Sequence, residues 1–539
     1  MAKDEVLVVG AGPVGLTCAI QLARSGVKCR IIDKNPFQAK DSRAAGIHAR
    51  TLEVLDDMGI LPQILKEGIK VTGINLYSKN SRLVHAQYKG FDTPYCFMID
   101  LPQSQTEHLL LHALEELGVK VHRNTELNHL ELFDTHVDVM LKEGERSLTP
   151  DTFAYVIGCD GARSRCRHLT NTNFPGDEYP INWVVLDGHL DWPYDSQEMH
   201  IFLHEEGLCA FFPLPHDRMR IIIEKSKGDE TSPTFEFALK ILQKRVSSEV
   251  KLHEPSDISP FIIHHRQVTA YKTGRVFLAG DAAHLHSPAG GQGMNTGIQD
   301  SYNLAWKLSL VMQGIGKEEL LETYHEERHP VAKEVLAITD KLTKMMTTKN
   351  SALTFMRDAF MSVIGSFDLL KEQLPKRFSQ LYIRYQPSSI IIDETNNHPP
   401  TKVKIGGRAP DHLLMQGEKE ISFFDLFKGF HHTLLLFGGK KPTSADLKTL
   451  SSFYPMKHPH IRTYFIHRNE NELAHCPDKT QCLLDLEPSA HTHYGIDKLT
   501  AILVRPDGYI GYIQEPLSLK RFENYLKKIF KQFDFQLSW

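Results

Sequence analysis

Along the first 33 residues the apolar positions change period twice. Residues 5–9 are a short continuous apolar run, 14–25 carry apolar side chains at helical spacing, and 28–33 return to a strand-like run. The loop GAGPVG separates the first two segments, so the order predicts a β-α-β opening. Residues 104–117 repeat the helical period, with Leu109, Leu110, Ala113 and Leu117 on one side and Gly118 stopping the helix before a strand at 120–122. Alternation across 127–141 predicts a small antiparallel meander, and 153–157 a buried strand. From about 180 to 265 the pattern is of strands without long helices, at 183–190, 199–203, 208–212 and 220–224, an insertion able to roof a pocket. Another buried strand, 275–278, runs into a Gly280-Asp281 turn, a glycine cradle and a helix beginning near Met294. Residues 324–385 are largely helical in pattern and long enough to brace two domains. The stretch 386–410, rich in Pro, Gly, Ser and Asn, marks a boundary near 400. Beyond it, strands at 432–437, 462–466 and 499–504 and a hairpin in RPDGYIGYI alternate with helical segments up to 533, a small α/β domain of its own.

Length agrees with several cores: 539 residues suggest two to four domains at about 150 residues each. The composition, 41% hydrophobic and 24% charged, is that of a globular protein. With 62 basic against 66 acidic residues, nothing points to nucleic acid or to an anionic membrane. No run reaches the roughly 18 apolar residues of a membrane helix, so a cytoplasmic enzyme is expected. The eight cysteines are scattered, without C-x-x-C, and read as reduced thiols. Histidine pairs occur at His264-His265, His284/His286 and His431-His432, but no carboxylate or cysteine at ligand spacing completes a site, so no metal centre is expected.

Chemistry concentrates at the glycine-rich turns. Gly10, Gly12 and Gly15 form G-x-G-x-x-G between strand and helix, where the first two glycines permit a tight turn and close approach of a pyrophosphate and the third packs helix on strand. Asp33 ends the second strand, where a ribose hydroxyl would sit. Asp281 lies at a strand's C-terminal end and can accept from a sugar-like hydroxyl. Gly290, Gly291 and Gly293 let backbone N–H groups approach a flat ligand, and the following helix points its positive end at the same place, favouring an anionic ring such as reduced flavin.

Three segments in order, GAGPVG with Asp33, GCDGARSRCR at 158–167 and GRVFLAGDAAHLHSPAGGQGMN at 274–295, resemble the single-component flavoprotein aromatic hydroxylases, the family of para-hydroxybenzoate hydroxylase. The added C-terminal region is similar to the branch of phenol hydroxylase, pentachlorophenol monooxygenase and the polyketide and rifampicin hydroxylases. The resemblance implies an α/β fold: a Rossmann-type FAD-binding domain with an inserted β-sheet substrate domain, a helical bridge and a C-terminal thioredoxin-like domain lacking CxxC. The expected division is 1–179 and 269–385 for the two parts of the FAD-binding domain, the second including the bridge, 180–268 for the substrate domain, 386–405 for a linker and 406–539 for the thioredoxin-like domain. Without C-x-x-C the tail is expected to be structural or a dimer contact, which leaves a homodimer open.

Residue by residue, the resemblance implies that Gly10, Gly12, Pro13, Val14 and Gly15 hold the FAD pyrophosphate and Asp33 the adenosine ribose. Arg43 matches the family's cofactor-gripping arginine and Gln103 the glutamine at the ribityl or phosphate region. A backbone group near Leu127 meets adenine. Asp281 takes the ribityl chain, the amides of Gly293, Met294 and Asn295 meet the pyrimidine edge, and Pro288 lies near the reactive N5 side. Asp160 stands where cofactor and NAD(P)H binding overlap, or else caps the turn that follows it. The implied reaction uses NADPH or NADH as a transient reductant and O2, through a flavin C4a-hydroperoxide, to hydroxylate a small aromatic, phenolic substrate; a polycyclic antibiotic or polyketide substrate, or a flavin-dependent reductase or oxidase activity, is the alternative. The expected pocket comprises Ile47, Phe211, Phe212 and Pro213, with His48, Arg220 and Pro288 as catalytic candidates. Two readings of His48 stand side by side, a base for the phenol and a neutral core histidine; Arg220 likewise reads as a substrate or flavin partner or as a strand-edge ion pair.

Overall fold

The apolar run at the N-terminus becomes the middle of a six-stranded sheet. Val6–Val9 is buried on both faces and pairs in parallel with Cys29–Ile32 and Tyr155–Gly158, as expected of a strand covered by helices above and below. The sheet runs Lys272–Thr273, Val276–Leu278, Tyr155–Gly158, Val6–Val9, Cys29–Ile32, Val121–His122, with Lys272–Thr273 antiparallel at one edge. The computed structural model describes residues 4–38, 44–79, 81–226, 231–287, 290–348, 375–395, 401–453, 458–469, 472, 478–486 and 489–532.

Helix Pro13–Arg24 starts with proline at its first position, where the missing N–H costs nothing, and packs on helix Gln292–Met312. That contact is close because Gly280 and Gly297 both face Val14: a Cβ on either would fall 2.8 or 2.6 Å from a Val14 methyl. Helix Gln292–Met312 is buried almost all round, and helix Thr323–Met346 lies against it. It begins two residues before Met294, because Gly291 at φ +62° supplies the left-handed cap.

The eight-stranded sheet that roofs the cavity runs His284–Leu285, Lys251–Gln267, Gly176–Asp191, Arg218–Glu224, Cys209–Leu214, Met199–Leu203, Gly73–Ser78, Ser81–Gln87. Its last two strands come from the segment before residue 180 and join through the parallel pairing of Ile74 with Met199. The sheet's far face is covered by helix Phe235–Arg245, capped by the Thr234 hydroxyl, which accepts from the Phe237 N–H. The meander is three antiparallel strands, Thr125–Leu132, Val137–Glu143 and Thr149–Phe153.

A second eight-stranded sheet organises the C-terminal region, in the order Ile392–Thr395, Ile510–Glu515, Thr500–Val504, His432–Phe437, Ile461–His467, Cys482–Leu484, Leu413–Gln416, Lys419–Ser422. Ile392–Thr395, inside the stretch read as linker, is therefore an edge strand, paired in parallel with Ile510–Glu515. Cys482 is disulfide-bonded, which corrects the expectation of reduced thiols throughout; Cys18, Cys29, Cys96, Cys159, Cys166 and Cys209 are free. The helical expectation over 349–374 falls outside the described residues. Among the described residues, no helix is long and apolar enough to cross a membrane.

Candidate active site

The two glycine types in GAGPVG do different work. Gly10 has φ +102°, and a Cβ there would sit 2.4 Å from the Cys159 carbonyl oxygen; a Cβ on Gly15 would sit 1.9 Å from the Gly10 carbonyl oxygen. Both are demanded by packing. At Gly12, by contrast, the nearest atom to a Cβ is Glu107 Oε1 at 3.9 Å, leaving open space at the N-terminus of helix Pro13–Arg24, which has no side-chain cap. An anionic phosphate fits that space, because the first-turn amides and the helix dipole both favour negative charge. Gly12, Pro13 and Val14 line a cavity of about 1460 Å³, whereas Gly10 and Gly15 stand behind it.

Asp33 shapes the same loop: one carboxylate oxygen accepts from the Ala11 N–H at 2.8 Å and the other from the Asn35 N–H at 2.8 Å. A carboxylate has about four acceptor sites, so capacity is left for a ribose hydroxyl. Gln103 opens helix Gln103–Glu116, lines the cavity and donates from Nε2 to Glu107 Oε1 at 2.8 Å. Glu107, absent from the sequence-based candidates, is buried beside the Gly12 turn, and that burial raises its pKa. Its position one turn after Gln103 on the same helix face is the signal that would have found it. Leu127 is buried in the core, paired with Leu141 across the meander, and does not reach the cavity wall.

At the other end, strand Val276–Leu278 delivers the Gly280–Ala282 turn, which puts an exposed Asp281 into the cavity wall. Gly290 and Gly291, at φ +80° and +62°, bring the chain round to helix Gln292–Met312, and Gln292, Gly293 and Met294 line the cavity. Asn295 turns its side chain away: Nδ2 donates to the Gly46 and Gly291 carbonyls at 2.8 and 2.7 Å, and Oδ1 accepts from the His48 N–H at 2.9 Å. Asn295 thus ties the Gly290–Gly291 loop to strand Gly46–Ile47, and its side chain is not available to a ligand.

His48 belongs to the same knot. Its ring Nε2 lies 2.7 Å from the Gly290 carbonyl, a distance that fixes Nε2 as the protonated nitrogen, and burial pushes the imidazolium down to about 4. A histidine that gives up its second proton so readily is a poor acceptor for a phenolic one. The geometry therefore gives His48 the work of a neutral, positioning histidine, not of a base. Arg220 is held bidentately by Asp187, Nε to Oδ1 at 2.9 Å and Nη2 to Oδ2 at 2.8 Å, and Nη1 donates to the Ala44 carbonyl at 3.0 Å. It is a fixed wall residue that fastens the Ala44 loop. Arg43 and Pro288 lie outside the described residues.

Of the expected pocket residues, only Phe212 lines the cavity. Successive side chains on a strand face opposite ways, so Ala210 and Phe212 of Cys209–Leu214 face the cavity while Phe211 faces the second core. There Phe211 is fully buried, with its ring centroid 4.7 Å from that of Trp192. Pro213 takes the same phase as Phe211, and Ile47 is buried behind the wall. The same alternation puts Arg220 and Ile222 in the wall and Ile221 and Ile223 in the core. Trp183, Ile201, Phe261 and Met346 complete the apolar lining.

Two further acids lie close by, Asp160 in the cavity wall and Asp100 behind it. Asp160 Oδ2 accepts from the Arg165 and Cys166 N–H groups at 2.6 and 3.1 Å, capping helix Arg165–Leu169, while its buried Oδ1 has no partner among the described residues. Asp100, on strand Met98–Asp100 beside Gly46, is fully buried, and among the described residues neither of its carboxyl oxygens has a hydrogen-bond partner. Burial pushes its pKa up to about 8, against the pull of the Arg220 guanidinium. Among the described residues, no group of three or more His, Cys, Asp or Glu is placed to hold a metal ion.

Comparison with known proteins agrees with this geometry. Residues 3–339 match the family described as FAD binding domain. A flavin-dependent monooxygenase of Mycobacteroides abscessus is 30% identical over 526 residues, covering 95% of this chain and 97% of that protein. Pentachlorophenol 4-monooxygenase of Sphingobium chlorophenolicum is 30% identical over 523 residues, 94% of this chain and 93% of that one. The solved ternary complex of aklavinone-11 hydroxylase with FAD and aklavinone superposes with a TM-score of 0.78 at 25% identity, covering 98% and 99% of the two chains.

Proposed function

The chain belongs to the FAD binding domain family and is an FAD-dependent aromatic monooxygenase, and from that premise we propose that its substrate is a planar phenolic compound of several fused rings. The observation that carries the reading is the cavity itself. At about 1460 Å³ it exceeds the roughly 300–1,000 Å³ of a single-ligand pocket, so a bulky second ligand fits beside the cofactor. Its wall beyond the flavin-facing glycines is apolar and long, formed by Trp183, Ile201, Phe212, Ile222, Phe261 and Met346. A single phenol ring would leave most of that wall uncovered.

FAD supplies the acceptor for hydride from NAD(P)H and the centre at which O2 is activated. The net reaction converts a ring C–H, O2, NAD(P)H and a proton into a ring C–OH, water and NAD(P)+. The chain's own residues bind, orient and exclude water. The Gly12 cradle and the amides of helix Pro13–Arg24 hold the pyrophosphate, Asp33 the adenosine ribose, and Asp281 the ribityl chain. The amides at Gly293, Met294 and Asn295, at the positive end of a 21-residue helix, would meet the pyrimidine edge and would favour its anionic, reduced form. Asn295 and His48 keep that loop in place through Gly46, Gly290 and Gly291. The apolar roof keeps bulk water from the oxygen-activating centre, which is what couples NAD(P)H oxidation to product. His48, neutral and donating from Nε2 to the Gly290 carbonyl, orients the Gly290–Gly291 loop instead of taking the phenol's proton.

The test is NADH and NADPH oxidation by the purified flavoprotein with fused-ring phenols and single-ring phenols, with H2O2 and hydroxylated product measured together. Fused-ring compounds should stimulate oxidation and gain one oxygen; single-ring phenols should give mainly H2O2. Coupled hydroxylation confined to single-ring phenols would overturn the substrate class and leave the enzyme class intact.

A further inference from the structure

A cluster of almost completely buried charges lies away from the cavity. Arg505 and Asp507, on the turn between strands Thr500–Val504 and Ile510–Glu515, are each about 1% exposed, and so is Glu327 on helix Thr323–Met346. Arg505 grips Glu327 bidentately, Nη1 to Oε1 at 2.6 Å and Nη2 to Oε2 at 2.9 Å, and its Nε donates to Asp507 Oδ1 at 3.0 Å. Lys307 Nζ donates to Glu327 Oε2 at 2.8 Å, and Asn303 Nδ2 bridges Glu327 and Asp507 at 2.8 and 3.1 Å. Two cations therefore meet two carboxylates, which is the condition under which buried charges are tolerated.

The next residue carries the connection onward. Arg328, fully buried, donates from Nε to Asp300 Oδ1 at 2.7 Å and from Nη2 to the Thr296 carbonyl at 3.0 Å. Asp300 Oδ2 lies 2.7 Å from His284 Nε2 and accepts from the Gly280 backbone N–H at 3.1 Å. Gly280 opens the turn that presents Asp281 to the cavity. Arg328 Nη1 also reaches the Tyr385 hydroxyl at 3.2 Å, and the Tyr385 ring centroid is 4.1 Å from that of Tyr509 on the C-terminal hairpin.

We propose that the C-terminal domain is part of the cofactor site's foundation: the buried Arg505–Asp507–Glu327 cluster and the buried Arg328–Asp300 pair, joined as consecutive positions 327 and 328 of helix Thr323–Met346, together position the Gly280–Ala282 turn, and with it Asp281, for the ribityl chain of FAD. These are positioning residues; none of them touches the cavity wall. The inference rests on the reading of Asp281 as the ribityl contact. Each link is rigid because its alternative is an unpaired buried charge, so the domain holds the turn in one geometry instead of merely lying against it. The absence of C-x-x-C from that domain fits a role met by docking alone.

The test is titration of FAD into full-length apoprotein, read by quenching of flavin fluorescence, beside the melting temperature of each apoprotein. Arg505→Met and Asp507→Asn should raise the FAD dissociation constant at least tenfold in protein that is still folded, and Arg505→Lys should recover part of the loss. Lys428→Met is the control: Lys428 meets Asp56 at 3.1 Å in a second contact of the same domain, and neither it nor Asp56 bonds to a member of the cluster or the pair. That variant should stay within twofold of wild type. If Arg505→Met does not fold, the isosteric Asp507→Asn carries the reading alone. Wild-type FAD affinity in a folded Arg505→Met or Asp507→Asn protein overturns the proposal, as does an equal loss in Lys428→Met. Asp281→Ala measures the ribityl contact separately, and unchanged affinity there overturns that reading whatever the Arg505 variants do.

Discussion

The two ends of the cavity are built by different means. At the phosphate end the working groups are backbone amides and the glycines that make room for them; at the roof they are side chains chosen by the phase of a strand. Gly10, Gly12 and Gly15 are within six residues of each other in sequence and in space, whereas Trp183, Phe212, Phe261 and Met346 converge from three strands and a helix. The first end is fixed by local chain geometry and tolerates almost no change. The second is fixed by tertiary register, and its chemistry can vary without disturbing the cofactor.

The sharpest way to break this comparison lies within the phosphate loop. Gly15→Ala would force a methyl to 1.9 Å from the Gly10 carbonyl oxygen, so it should cost about 3 kcal/mol or more of stability and yield protein without FAD. Gly12→Ala meets nothing closer than 3.9 Å and should fold with a melting temperature near wild type while FAD affinity drops steeply. Thermal melts and flavin content of the two purified proteins separate packing from binding. Equal stability losses would mean that Gly12 is a packing glycine after all.

At the roof, neighbouring phenylalanines make the matching test. Phe211→Ala empties a fully buried core position and should cost about 3–5 kcal/mol in denaturant unfolding, with little change in substrate preference. Phe212→Ala, on the cavity face and only half-buried, should cost far less stability and instead raise the share of NAD(P)H oxidation that ends as H2O2. If Phe211→Ala uncouples the reaction and Phe212→Ala does not, the phase assigned to strand Cys209–Leu214 is wrong.

These pairs also mark what the sequence made legible. GAGPVG, the Gly280-Asp281 turn and the Gly290/Gly291 cradle were readable because the backbone there demands particular residues, and φ above zero or a close contact leaves a glycine signature. Phe211 and Phe212 were indistinguishable because both are aromatic and a one-residue phase decides which face each takes. Strand Gly73–Ser78 joins the roof by pairing with Met199–Leu203, more than a hundred positions away, and brings Ser81–Gln87 with it, which no local pattern records. Helix Phe235–Arg245 was passed over within a region dominated by strands, although Thr234 before a helical run was a usable cap signal. The Arg505–Glu327 pair, 178 residues apart, depends wholly on the docking of one sheet against another domain's helix.

Asp100 sharpens the comparison through pH. Its folded pKa is raised to about 8 by burial, so below about pH 4 both folded and unfolded chains hold the proton and burial of the acid carries no ionic cost. Between about 4 and 8 the unfolded chain releases the proton and the folded chain retains it, so stability from this group declines as pH rises, by at most about 1.4 kcal/mol per pH unit. Asp100→Asn should remove that slope. Urea unfolding at a series of pH values from 5 to 8 checks it: parallel wild-type and variant curves would mean the carboxyl is ionised in the folded protein.

The smallest effect is expected at His48, whose role joins the two ends. Burial and the Gly290 carbonyl keep it neutral with Nε2 protonated, its pKa pushed down to about 4. A base acting on the phenol would place a limb in kcat/KM against pH at its own pKa, and that limb would vanish on substitution. His48→Gln keeps a side-chain donor near Gly290, so activity should fall only a few-fold through loosening of the loop. The acidic limb should stay where it was, moving only when the pKa of the substrate's phenol is changed. Loss of the limb in His48→Gln would return the histidine to catalysis and would mean that the knot of His48, Asn295 and Gly290 opens when the substrate binds.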